Sequence, residues 1–128
     1  MPVTAIVIFA HGSSIESAND SVRRIADSVR REAGFELVET AFLEQGRPDL
    51  GGAIEAAVAQ GARRVVVVPY FLTLGLHLQR DLPNIVSGLA GLHKGVEIRV
   101  ALPLDGHPAL GDILKQRALE VLSAEKAG

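Results

Sequence analysis

The 128-residue sequence contains no cysteine and no tryptophan, and its aromatic side chains come to one tyrosine and four phenylalanines. The lack of cysteine excludes a disulfide framework, a thiolate metal site and a cysteine nucleophile together. With so few aromatics, the aliphatic residues must build the interior, which suits a buried sheet flanked by helices. Positive charge is not in excess either. The formal net charge is -2, so no basic field draws the chain to nucleic acid or to an anionic membrane surface. Long hydrophobic runs are also missing. The most apolar stretch, Val65 to Leu78, is interrupted by Pro69 and Gly75, well short of the roughly 20 residues of a membrane helix. The start Met1-Pro2-Val3-Thr4 lacks the charged residues of a signal peptide. A cytoplasmic protein with neither a membrane nor a nucleic-acid partner is expected.

What the chain does have is aliphatic material in a regular rhythm. Hydrophobic residues make up 48% of it, enough for one core and, at this length, one domain over 1–128. Residues 124–128 are expected to fray. The first strand spans Val3 to Ala10. Ser13 and Glu16 then stand at capping-box spacing, and a helix with Ala18, Val22, Ile25, Ala26 and Val29 on one face runs to Ala33, ahead of a terminating Gly34. The second strand covers Phe35 to Leu43, with a helix opening at Pro48 and ending at Gly61. The third covers Arg64 to Phe71 and leads into a helix carrying Leu82, Ile85, Val86 and Leu89. The fourth covers Val96 to Leu102, and its helix, about Pro108 to Ser123, is expected to face Leu110, Ile113, Leu114, Ala118 and Val121 inward.

Four strands alternating with helices imply an α/β three-layer sandwich around a parallel sheet with right-handed crossovers. The first and third strands are continuous apolar runs, the pattern of strands covered on both faces. The second and fourth alternate and read as edges, so the expected order is 2-1-3-4. In such sheets ligands bind beyond the carboxyl ends of the strands, where the order reverses. Here that point lies between the first and third strands. His11 leaves the end of the first, His77 lies in the loop leaving the third, and Glu44 follows the second at the corresponding height.

Two imidazoles and a carboxylate suit Co, Ni, Fe or Zn with a coordination position left open. A histidine bonded to a turn carbonyl and a solvated glutamate are the plainer alternatives. His93 reads as a surface-loop residue, and His107 either lines the same rim or merely starts the last helix. Phosphate chemistry is disfavoured: no Walker or Gly-x-Gly-x-x-Gly motif is present, and Ala10 stands where a histidine phosphatase needs arginine.

Four blocks in order, His11-Gly12-Ser13 with Ala18-Asn19, Phe42-Leu43-Glu44 with Pro48 and Leu50, Pro69 to Leu72 with Gly75, His77 and Asp81-Leu82-Pro83, and Pro103-Leu104 with His107-Pro108, resemble the sirohydrochlorin chelatases. The resemblance is specifically to their short, single-domain cobaltochelatase form. The resemblance implies insertion of a divalent metal (Co2+, Fe2+ or Ni2+) into sirohydrochlorin in cobalamin or siroheme biosynthesis. It further implies that the metal is a substrate, that no organic cofactor takes part, and that two short chains pair as a homodimer. It places metal ligation on His11 and His77 and catalysis on His11, His77 and Glu44. Ser13, Ser14, Asn19, Gly75 and His107 are expected to contact the tetrapyrrole, with Arg47 and Arg80 as possible charge partners. Two positions depart from the family pattern: Ser14 stands where a basic residue is usual, and Asp105 where glycine is common. A carrier that binds metal or tetrapyrrole without inserting one into the other is the alternative.

Overall fold

The computed structural model describes the backbone of residues 3–127 and the side chains of residues 3–124. Eight elements follow in strict alternation: β1 (Val3–Ala10), α1 (Glu16–Ala33), β2 (Leu37–Phe42), α2 (Leu50–Ala59), β3 (Ala62–Pro69), α3 (Leu76–Leu92), β4 (Glu97–Val100) and α4 (Ala109–Ala127). The strands form one parallel sheet in the order β2-β1-β3-β4. The α4 backbone runs to Ala127, into the stretch 124–128 where fraying is expected; Gly128 lies outside the described residues.

The apolar run Ala5 to Ala10 is buried throughout because β1 is covered on both faces. Ala5, Val7 and Phe9 pack with Val65, Val67, Ala53, Ile54 and Ala57 beneath α2. Ile6, Ile8 and Ala10 meet Val22 and Ala26 of α1 on the opposite face. The buried side of α2 is formed by Leu50, Ala53, Ile54 and Ala57. Gly34 ends α1 at φ 72°, the left-handed cap that its position suggests.

Three details differ from the sequence pattern. Ser13 does not cap α1: Ile15 occupies the N-cap position without a side-chain bond, while the Ser13 hydroxyl accepts from the Ile15 amide at 3.0 Å. The helix at Pro48 starts two residues later, where Asp49 accepts from the Gly52 amide at 2.8 Å. The largest difference is α4. Ile113, Leu114 and Val121 do not face inward but are 49%, 71% and 61% exposed. The physical reason is the path of the chain: the loop after β4 is bonded to the β3–α3 loop through the Leu104 and Asp105 amides, which donate to Phe71 and Leu72 carbonyls. From there α4 departs without returning to the sheet. The same departure explains why β3 is not covered on both faces as its valine run suggested: Val65 and Val67 are buried, Val66 and Val68 only half so. Burial of a Val, Leu or Ile side chain is worth roughly 1.5–3 kcal/mol, so the single chain leaves much apolar surface unused.

Candidate functional site

All four strands run in one direction, so their carboxyl ends share one rim. There the loops after β1 and β2 continue side by side beyond the sheet. The Leu43 amide donates to Ala10 O at 2.9 Å and the Glu44 amide to His11 O at 3.0 Å. This extension sets His11 Nε2 3.4 Å from Glu44 Oε1, with the two side chains 60% and 58% exposed. Gly12 makes the approach possible. Its φ is +91°, and a Cβ there would stand 1.7 Å from the Glu44 carbonyl oxygen.

The chemistry of the pair follows from its hydrogen bonds. His11 Nδ1 lies 3.2 Å from the Gly12 carbonyl oxygen, and Nε2 is left at the open rim, facing Glu44. Nε2 and the Glu44 carboxylate together offer a nitrogen and an oxygen donor to a cation at the open rim. The edge of Phe71, with ring centroids 6.4 Å apart, limits how the imidazole turns.

His77 stands apart from this pair. It lies in the first turn of α3, exposed, with its Nδ1 3.3 Å from an Arg80 Nη2 that can only donate. Among the described residues no three His, Asp or Glu side chains are grouped closely enough to hold a metal ion. His11 and Glu44 are thus brought together, and His77 is not brought to them within one chain. Arg80 is engaged by Asp81 at 3.2 Å as well as by His77.

Asn19 requires a correction. Expected at the substrate, it is 1% exposed and commits its amide to the protein. Its Oδ1 accepts from the Ser13 amide at 3.0 Å, and Nδ2 donates to the carbonyls of Ser13 at 2.9 Å and Gln45 at 3.1 Å. It ties the loop after β1 to the loop after β2, and so holds the His11–Glu44 pair from behind. Asn19→Ala strands an amide and two carbonyls, and a loss of about 2–3 kcal/mol is expected, read as a lower urea midpoint; an unchanged midpoint would show that the loops stand without it. Ser14 is exposed beside this junction. Gly75 is the N-cap residue of α3, with its carbonyl accepting from Gln79. His107 Nδ1 accepts from the Ala109 amide at 3.0 Å and so starts α4, leaving Nε2 free.

Arg23 was not foreseen. It donates to Glu16 at 2.6 Å and Asp20 at 2.7 Å and lies 5.3 Å over the Phe42 ring. Those carboxylates raise its pKa above the ordinary arginine value. The signal was the spacing Glu16, Asp20, Arg23 along the first turns of α1. Together with Glu44, Arg47 and Phe42 it lines an open cleft of about 1140 Å³ on the outer side of the β2–α2 loop.

Such a molecule is an α/β domain whose candidate site is built from strand-end loops that offer nitrogen and oxygen donors to a cation. The chain belongs to the CbiX family, whose family model matches residues 5–121. It is 32% identical to the chloroplastic sirohydrochlorin ferrochelatase of Arabidopsis thaliana over 92% of its own length and 52% of that protein's. To the sirohydrochlorin cobaltochelatase of Sulfolobus acidocaldarius it is 33% identical over 94% of both chains. The chain thus spans about half the length of the Arabidopsis protein and nearly all of the Sulfolobus one. Two solved structures share the fold. A putative cobalamin biosynthesis CbiX protein from Marinobacter aquaeolei VT8 superposes with a TM-score of 0.82 at 31% identity, over 94% of this chain and 98% of that one. The sirohydrochlorin chelatase SirB from Bacillus subtilis subspecies spizizenii, in complex with cobalt, gives 0.73 at 27% identity, over 80% of this chain and 44% of that one.

Proposed function

We propose that this chain is a metal chelatase that inserts Co2+, or Fe2+ or Ni2+, into sirohydrochlorin, a lyase of cobalamin or siroheme biosynthesis acting in the cytoplasm. The observation that carries the reading is the His11–Glu44 pair at the open rim, an imidazole nitrogen and a carboxylate within reach of one cation. Insertion exchanges one divalent metal for two pyrrole protons. His11 Nε2 releases the metal and takes up one of the two protons, the Glu44 carboxylate takes the other, and both pass on to solvent. His77 supplies a second imidazole. Ser13, Ser14, Gly75 and His107 present hydrogen-bonding groups along the rim, and the N-termini of α1, α3 and α4 face the same side, which favours a polycarboxylate ligand.

Residues 1–128 act as one domain, and two copies form the working unit. Support for pairing comes from relatives about twice this length, from the separation of His77 from His11 and Glu44 within one chain, and from the uncovered apolar stripe of α4. No helix among the described residues is long and apolar enough to cross a membrane. The metal is a substrate here, and no organic cofactor takes part.

The test is turnover with sirohydrochlorin and each metal in excess over enzyme, followed in the visible spectrum. Many product molecules per chain are expected, and His77→Ala should lower the rate at least tenfold. Product limited to one equivalent per chain would instead mark a carrier.

A further inference from the structure

The two rim histidines differ in what faces their ring nitrogens. His11 Nε2 looks onto an anion, the Glu44 carboxylate at 3.4 Å. His77 Nδ1 looks onto a cation, Arg80 Nη2 at 3.3 Å. A guanidinium has donors and no acceptor, so this contact engages the imidazole lone pair at Nδ1. A neutral ring has one such lone pair and one N–H, and its proton then stands on Nε2. Neither nitrogen of His77 can hold a metal ion while Arg80 stays in place: the Nδ1 lone pair is engaged, and Nε2 has none to give. The guanidinium also sets a positive charge in the path of any approaching cation. His11 meets no such obstacle.

The hold on Arg80 is slight. Its Nε lies 3.2 Å from Asp81 Oδ1, with the two side chains 71% and 52% exposed, and exposed pairs of this kind contribute little to stability. His77 and Arg80 are both exposed as well, three residues apart on one helix surface. The guanidinium stands near the amino end of α3, where the backbone dipole disfavours a cation. A carboxylate arriving from solvent, able to take the guanidinium in a two-pronged bond, draws Arg80 away from the imidazole at small cost.

We propose that Arg80 is a latch on His77, opened by the carboxylates of the tetrapyrrole. The inference rests on the chelatase reading above and gives its site an order of binding. The macrocycle engages Arg80, the His77 ring is released to ligate, and the metal ion gains its second imidazole only when an acceptor for it is already present. Arg80 thus acts on the metal through His77, as a positioning residue. The coupling is reciprocal: whatever factor the macrocycle adds to metal affinity, the metal adds to macrocycle affinity.

Co2+ alone, titrated calorimetrically into the full chain without tetrapyrrole, tests the latch. Arg80→Met is expected to bind Co2+ about threefold to fivefold tighter than wild type, the worth of one exposed charged contact. The gain should vanish in a His77→Ala background and be absent from Lys94→Met, which removes the same charge beyond the far end of α3. The 15N resonances of the His77 ring should place its proton on Nε2 in the wild type and show mixed tautomers in Arg80→Met. With sirohydrochlorin the same variant should move the other way, its KM rising by about threefold to fivefold as a carboxylate partner is lost. Unchanged cobalt affinity in Arg80→Met, or a gain that persists without His77, overturns the latch. An unchanged KM overturns its opening by carboxylates. No turnover by the wild type overturns the chelatase reading instead, and the cobalt titration, which needs no tetrapyrrole, still decides the latch.

Discussion

Replacing His11 with alanine is expected to lower metal insertion by about 10²- to 10⁴-fold, the usual span for loss of a group that moves a proton in the reaction, with no change in thermal midpoint. The two halves of that expectation have separate origins. His11 is 60% exposed at its side chain, and its contacts with the Gly12 carbonyl, Glu44 and the edge of Phe71 lie at the rim, so no core packing is lost. Substitutions at such positions stay within about 0.5 kcal/mol. The rate falls because a nitrogen donor to the metal is lost, and with it the acceptor for one of the two pyrrole protons. Glu44→Gln keeps the shape of the pair and removes its charge, and a smaller loss is expected. Rates measured with Co2+ and sirohydrochlorin decide it: full activity in His11→Ala would remove the imidazole from the reaction.

The second large effect is Gly12→Ala, one methyl group placed against the backbone of another loop. Left-handed backbone costs a residue with a Cβ about 1–2 kcal/mol, and here the Cβ would also stand 1.7 Å from the Glu44 carbonyl oxygen. That oxygen belongs to a loop held by its own hydrogen bonds, so the loop must move. A total near 3 kcal/mol is expected, roughly 10 °C in midpoint, together with a loss of turnover like that of His11→Ala because the pair is pulled apart. Gly34→Ala is the control. Gly34 also has positive φ, at 72°, but open space around it, so it should show the backbone cost alone and leave turnover unchanged. Equal destabilisation by the two substitutions would mean that the collision is relieved without cost.

Much of this molecule is legible before any coordinates. The alternation of apolar runs and helical stripes specifies four strand–helix units, and the contrast between continuous and alternating strands specifies the order β2-β1-β3-β4. Both rest on local periodicity and on which residues tolerate water. Topology then puts His11 and Glu44 on one rim, and they do meet. Asn19 misled because polarity next to a site suggests contact with ligand, whereas a buried amide with three good protein partners has nothing left to offer. Arg23 escaped notice because an arginine on a helix reads as solvated until the ring of Phe42 and two carboxylates are found around it.

By itself the sequence determined what is decided by pattern: the α/β class, the strand order, the rim on which chemistry can occur, and the family to which the chain belongs. Only the tertiary structure decided what depends on distances between segments remote along the chain. It closed His11 on Glu44 through the bare Cα of Gly12, held His77 apart, and turned the apolar side of α4 outward. Periodicity reports that a helix has a face to bury; where that face goes depends on the loop before it. Here the loop is pinned to the β3–α3 turn, and α4 leaves its own sheet.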